Sequence, residues 1–237
     1  MSLHLSNLVL EITRKCNMKC PHCLRGPAQR IDMDLSIINR VTENVDSIYG
    51  LTLTGGEPSL NAAAIEHLRW AMYFNHCALE YFWLTVNARF FKEDFYNALR
   101  ELYCVCGDQE MCRLTISGDQ YHFGRSRRAL EEYGDLPFFS DERMRMIADD
   151  NLLDEGMAKR NQMGRREVDI TRKITDFSLD EDSGVLFVGD MVYINAKGDV
   201  LLCCDLSYLS QKKYIIGNVL AEPLEQILRR RLSAQAA

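Results

Sequence analysis

The apolar positions of the first 120 residues fall into two alternating rhythms. Runs such as Asn7-Leu8-Val9-Leu10-Glu11-Ile12-Thr13 and Leu51-Thr52-Leu53-Thr54 are short, rich in β-formers and bounded by polar or glycine residues, which predicts strands. Between them, Ile38, Val41, Val45 and Ile48 recur at three and four residues behind candidate caps at Asp34 and Ser36. Ile65, Leu68, Ala71 and Met72 form a second stripe of that kind, and both stripes predict helices. Tyr81 to Val86 then reads as strand, Phe90 to Leu102 as helix and Cys112 to Ser117 as strand. Strands separated by helices point to parallel β/α units, whose active residues gather at the C-terminal ends of the strands.

After residue 120 the pattern weakens. The stretch from Gln120 to Lys173 is polar and charged, with one predicted helix around Asp141 to Leu153 and one predicted strand at Glu167 to Thr171. It is expected to hold either shortened fifth and sixth units or an insertion over the rim. Asp-Glu-Asp-Ser-Gly, ending at Gly184, marks a boundary near residue 183. Beyond it, Val192 to Leu202 reads as two short strands joined by a Gly198-Asp199 turn, and Pro223 to Leu232 as a helix. The expected division is 1–183 for a barrel and 184–237 for a small extension.

Length and charge narrow the classes. A chain of 237 residues suits one domain of ordinary size with a small appendage. A net charge of −6 argues against a nucleic-acid partner, and Arg229-Arg230-Arg231 reads as the solvated end of a helix. No apolar run approaches the roughly 20 residues that cross a bilayer. Nine cysteines, an odd number, follow an opening M-S-L-H-L-S-N that lacks an apolar signal core, so a reducing, cytoplasmic compartment is expected.

Three of those cysteines, Cys16, Cys20 and Cys23, stand in the eight residues C-N-M-K-C-P-H-C directly after the first predicted strand. Three thiolates on one tight loop can hold a cubane iron–sulfur cluster by three irons and leave the fourth without a protein ligand. A structural zinc site with His22 is the rival reading, but His22 adjoins Cys23, and adjacent side chains rarely converge on one tetrahedral ion. Cys77, Cys104, Cys106 and Cys112 lie in or beside apolar runs and read as packing residues.

The loop resembles the cluster loop of the radical S-adenosylmethionine (radical SAM) enzymes, and the strand-like run ending in Gly55-Gly56-Glu57-Pro58 resembles that family's second signature. The resemblance implies a partial (β/α)6 barrel of α/β class with a [4Fe–4S] cluster on Cys16, Cys20 and Cys23. S-adenosylmethionine would chelate the fourth iron, with Gly55, Gly56 and Glu57 lining its methionine end. By the same resemblance, His22 replaces an aromatic residue beside the adenine. Asn87, Ser117 and Asp119 are candidates for polar contacts to the cofactor's carboxylate or ribose. Tyr121 and His122 follow on the same rim and can serve the substrate as proton or hydrogen-atom donors; as plain residue types they fit ordinary loop hydrogen bonding equally well.

The tail is similar to the SPASM or twitch extension of peptide- and sugar-modifying radical SAM enzymes, in which a cysteine at the position of Cys203 helps bind an auxiliary cluster. Here Val188-Gly189-Asp190 stands where a cysteine is expected before the hairpin, and no cysteine follows Cys204, so a cluster-less extension is expected. The implied activity is reductive cleavage of S-adenosylmethionine and hydrogen abstraction from a peptide or small metabolite, fed by a low-potential donor such as flavodoxin or ferredoxin. A non-catalytic metal-binding or regulatory protein is the alternative. Fifteen residues precede Cys16, so no separate leader-peptide-binding domain is expected at that end.

Overall fold

The computed structural model describes residues 2–141, 151–170 and 173–236. Its centre is β1 (Ser2–Thr13), followed by α1 (Leu35–Thr42), β2 (Ser47–Gly55), α2 (Ala62–Phe74), β3 (Ala78–Val86), α3 (Glu93–Cys104), β4 (Arg113–Ile116) and α4 (Arg127–Gly134). A short α5 (Gly156–Arg160) precedes β5 (Phe177–Leu179), β6 (Val185–Ile194), β7 (Asp199–Leu201), β8 (Gly217–Asn218) and α6 (Leu224–Ala236). The sheet runs β4-β3-β2-β1-β6-β7-β8, with β5 paired to β6. From β4 through β1 to β6 all neighbours are parallel, whereas β7 and β8 continue antiparallel. The sheet stays open, as a partial barrel does.

Alternation on β1 explains its place. Leu3, Leu5, Leu8, Leu10 and Ile12 are buried in the main core with the apolar stripes of α1, α2 and α3, each contributing about 1.5–3 kcal/mol over an exposed position. On the other face Val9 joins a small cluster with Tyr193, Leu201 and Cys203, and Glu11 and Thr13 are buried polar groups. Because β1 to β4 are parallel, the turns after Thr13, Gly55, Val86 and Ile116 all lie on one rim.

Three expectations need correction, and a fourth falls mostly outside the described residues. The helical stripe does not reach Val45 and Ile48: α1 stops at Thr42, whose hydroxyl donates to Ile38 O and Asn39 O, and Ile48 belongs to β2 between Leu5 and Leu79. Glu167 to Ile170 form no strand. Val168 and Ile170 instead pack on the small cluster around Tyr193, which satisfies their alternation through side chains. Thr171 and most of the predicted helix at Asp141 to Leu153 lie outside the described residues. Cys104 is exposed, while Cys77, Cys106 and Cys112 are buried as expected. Beyond β4, Phe139 bridges parallel to Leu114, with Leu114 N donating to Phe138 O and Ser140 N to Leu114 O.

Candidate metal centre

Each element of the rim is held by a specific backbone contact. After β1 the cysteine loop folds back, with Met33 N donating to Ile12 O, Arg14 N to Ile31 O and Gln29 N to Arg14 O. The turn after β2 then packs on its stem: Gly56 N donates to Thr13 O and Glu57 N to Lys15 O, both at 2.8 Å. A Cβ on Gly55 would lie 2.2 Å from Thr13 O, and one on Gly56 2.2 Å from Lys15 O. Gly55 also has φ +156. The paired glycines are thus required by the closeness of two protein backbones, before any cofactor is considered.

Glu57 is buried, and its carboxylate serves the protein. One oxygen accepts from Ser59 N and Oγ, the other from Asn87 N at 2.9 Å. Burial pushes its carboxyl above the usual range, against these hydrogen bonds. Asn87 in turn donates from Nδ2 to Asn17 Oδ1 inside the cysteine loop, at 2.8 Å, and accepts from Arg89 N. Glu57 and Asn87 therefore tie the ends of β2 and β3 to the loop.

A cavity of about 860 Å³ opens between these turns. Cys16, Cys20, Cys23, His22, Gly55, Gly56, Glu57, Asn87, Ser117 and His122 all line it; Asp119 and Tyr121 stand behind its wall. Its size falls in the range of small-molecule and cofactor sites. Among the thiols, burial raises Cys16, and burial followed by the charges of Cys23, Cys16 and Asp119 pushes Cys20 up to about 12. Thiols so raised hold their protons near neutrality, and a metal must displace them to bind. Met18 N already points at Cys16 Sγ, 3.4 Å away.

His22, Asp119, Tyr121 and His122 form one cluster beside Cys20. His22 stacks on Tyr121 with centroids 4.3 Å apart, and its Nε2 is 3.8 Å from Asp119. His122 Nδ1 donates to Asp119 at 2.8 Å, while its Nε2 lies 3.7 Å from Cys20 Sγ. Burial alone would raise the Asp119 carboxyl, but hydrogen bonds from His122 and Tyr121 N and the nearby imidazoles hold it below the usual carboxylate range.

Sequence reasoning missed three groups here. Arg25 Nη1 donates to Cys204 O and Leu206 O, and Tyr208 N donates back to Arg25 O, so the tail grips the loop just past Cys23. Just before Cys16, Arg14 binds Glu11, Gln29 and Gln211 and lies over the Tyr208 ring. Glu11 also accepts from Ala196 N, the Tyr193 hydroxyl and Gln211, completing a buried network between barrel and tail. Finally, Met157 N donates to Cys23 O, and Asn161 to Pro21 O, which seats α5 on the loop. Only folding brings these residues together; the sequence carries no local sign of it.

The tail's own cysteines have other neighbours. Cys203 is buried with Sγ 3.7 Å from Asp169 O, and Cys204 is raised to about 12, by burial first and then by Asp205. They are the only cysteines of residues 187–236.

Residues 9–93 match the family profile of the 4Fe-4S single cluster domain, and residues 187–236 match SPASM, an iron-sulfur cluster-binding domain. Residues of this chain are 29% identical over 105 positions to the uncharacterized protein MJ0907 of Methanocaldococcus jannaschii, covering 41% of this chain and 36% of that protein. The fold is similar to native anSMEcpe, solved with bound AdoMet and Cp18Cys peptide: TM-score 0.59, 12% identity, 98% of this chain and 82% of that one. It is also similar to SuiB of Streptococcus suis bound to precursor peptide SuiA: TM-score 0.53, 12% identity, 94% of this chain and 64% of that one. The chain thus spans about a third of the curated relative it matches. One chain thus carries two segments of iron–sulfur cluster-binding type on a fold similar to those of anSMEcpe and SuiB.

Proposed function

We propose that this protein is a radical SAM enzyme that abstracts hydrogen from a peptide substrate. The observation that carries the reading is the convergence of three loop cysteines, the Gly55-Gly56 turn and Asn87 on one cavity large enough for a nucleoside cofactor. Cys16, Cys20 and Cys23 would hold a single [4Fe–4S] cluster, since three soft thiolates with no fourth cysteine among the described lining residues suit an iron–sulfur group with one open iron. Bound there and reduced by a low-potential donor of the flavodoxin or ferredoxin class, such a cluster would supply the electron for reductive cleavage of S-adenosylmethionine.

The chain's own residues bind and orient. The turn at Gly55 and Gly56 offers backbone at the cavity wall, and His22 offers a flat ring braced by Tyr121 for the adenine. Ser117, just after β4, lines the cavity and would contact the ribose or carboxylate, with Asp119 behind it. Leu152 and Leu153 line the cavity from the segment leading into α5 and exclude water. A peptide substrate is favoured because both similar structures hold peptides. The tail would be a cluster-less version of SPASM, because two thiols cannot supply the ligands of a second cubane.

Anaerobic reconstitution tests this reading. About four irons per chain are expected, followed on reduction by release of 5′-deoxyadenosine from S-adenosylmethionine. Stoichiometric zinc, or cofactor binding without cleavage under any reductant, would favour a non-catalytic protein instead.

A further inference from the structure

His122 is the rim residue whose surroundings the cofactor reading leaves unexplained. Its Nδ1 meets Asp119 at 2.8 Å, and its Nε2 faces the sulfur of Cys20 at 3.7 Å, inside the limit for a sulfur hydrogen bond. The ring is also fixed edge-on against His22, with centroids 5.4 Å apart. Asp119 is itself held by Tyr121 N at 2.8 Å, so the carboxylate that orients His122 has little freedom. A side chain waiting for substrate does not need its outer nitrogen spent on a cysteine sulfur.

We propose that His122, oriented by Asp119, tunes the iron–sulfur cluster by an N–H···S contact to its ligand Cys20, and that this contact rather than proton delivery to substrate is its role. The inference rests on the reading of Cys20 as a cluster ligand. Once Cys20 is a thiolate, the ring lies between two anionic acceptors, and as the imidazolium it donates Nδ1–H to the Asp119 carboxylate and Nε2–H to the Cys20 sulfur. Donors to cluster sulfurs stabilise the reduced, more negative state and raise the reduction potential. Outer-shell groups of this kind also fix a ligand's rotamer. Asp119 is then a positioning residue, acting through the ring. The step moves no atom and consumes no further reagent; it changes how easily the cluster accepts its electron.

The test is an EPR-monitored redox titration of the reconstituted protein, with iron counted in parallel. H122F removes the donor while keeping a flat ring, and its midpoint should shift to more negative potential. H122Q keeps an N–H that can reach the sulfur and should restore the midpoint most of the way. In a D119N background, where the ring has lost its charged anchor, the further change H122F should shift the midpoint less than it does in the wild type. A full cluster whose midpoint is the same in wild type and H122F overturns the inference and leaves the cluster reading standing. Equal shifts in H122F and H122Q also overturn it, because a merely structural ring would behave so. A wild type that takes up no iron sinks the cluster reading itself, and this inference with it. Should H122F fail to hold iron, H122Q and D119N against wild type carry the measurement, and unchanged midpoints in both count against the proposal.

Discussion

The loop after β1 and the tail after β7 both carry cysteines in iron–sulfur-type segments, yet they surround their thiols differently. Cys16, Cys20 and Cys23 face a cavity, with a backbone N–H near one sulfur and an imidazole near another. Cys203 faces the Asp169 carbonyl, and Cys204 sits beside Asp205, both acceptors or anions. Donors stabilise a thiolate and acceptors oppose it. Burial raises both tail thiols, against the Asp205 N–H at Cys203 and the charge of Arg25, whose guanidinium donates to the carbonyls of Cys204 and Leu206. One set of sulfurs opens on a cavity, and the other is packed around a clamp.

That contrast breaks most sharply in iron content. Cys16→Ala, Cys20→Ala or Cys23→Ala should each reduce bound iron from about four per chain to near zero, whereas Cys203→Ser with Cys204→Ser should leave it unchanged. Loss of about half the iron in the double variant would show that distant cysteines complete a second site.

Next in size is the network that joins the two regions. Glu11→Ala leaves Arg14 buried without its carboxylate and should cost about 3–5 kcal/mol, read as a lower urea midpoint. An unchanged midpoint would mean that barrel and tail are held by the sheet alone.

Smaller again is the seat of α5. Gly156 has φ +57, and a Cβ there would lie 2.1 Å from Leu24 O. Gly156→Ala should therefore cost about 1–3 kcal/mol of stability and speed the loss of iron to a chelator. Iron loss at the wild-type rate would show that α5 does not brace the loop. The mildest change is Cys203→Ser, expected at about 1 kcal/mol by thermal or urea unfolding, because the hydroxyl can keep the bond to Asp169 O. A cost above about 4 kcal/mol would mean that this sulfur does more than pack.

Much of the barrel was legible because its signals are local. The periods of β1, α2, β3 and α3 lie within single elements, and the Asp34 side chain caps α1 by accepting from Ser36 N, as its position suggested. The cysteine spacing and the Gly-Gly turn are local too. What stayed hidden was contact between distant segments. Arg25 looks like any loop arginine, and nothing near Glu11 indicates that Tyr193 and Gln211 will meet it. The same holds for Val168 and Ile170, whose alternation mimics a strand but answers to the tail's apolar cluster. Glu57 carries a role its turn did not suggest: while the residue lines the cavity, its carboxylate accepts from Ser59 and Asn87.

The central place of β1 has a consequence for synthesis of the chain. Its first flank is covered by β2 early, but its other flank waits for Val185–Ile194. At about 5–20 residues per second, a growing chain spends several seconds with that row of backbone groups unpaired, an open edge that invites pairing with other chains. During the same interval neither Arg14 nor Arg25 has met its partners from the tail, so the cysteine loop has only its contacts to its own stem and to the ends of β2 and β3. Iron delivered to a ribosome-bound chain would meet an unfinished receptacle. Assembly is thereby ordered: Cys204 and Gln211 must leave the ribosome before Arg25 and Arg14 can close on them at the two ends of the cysteine loop.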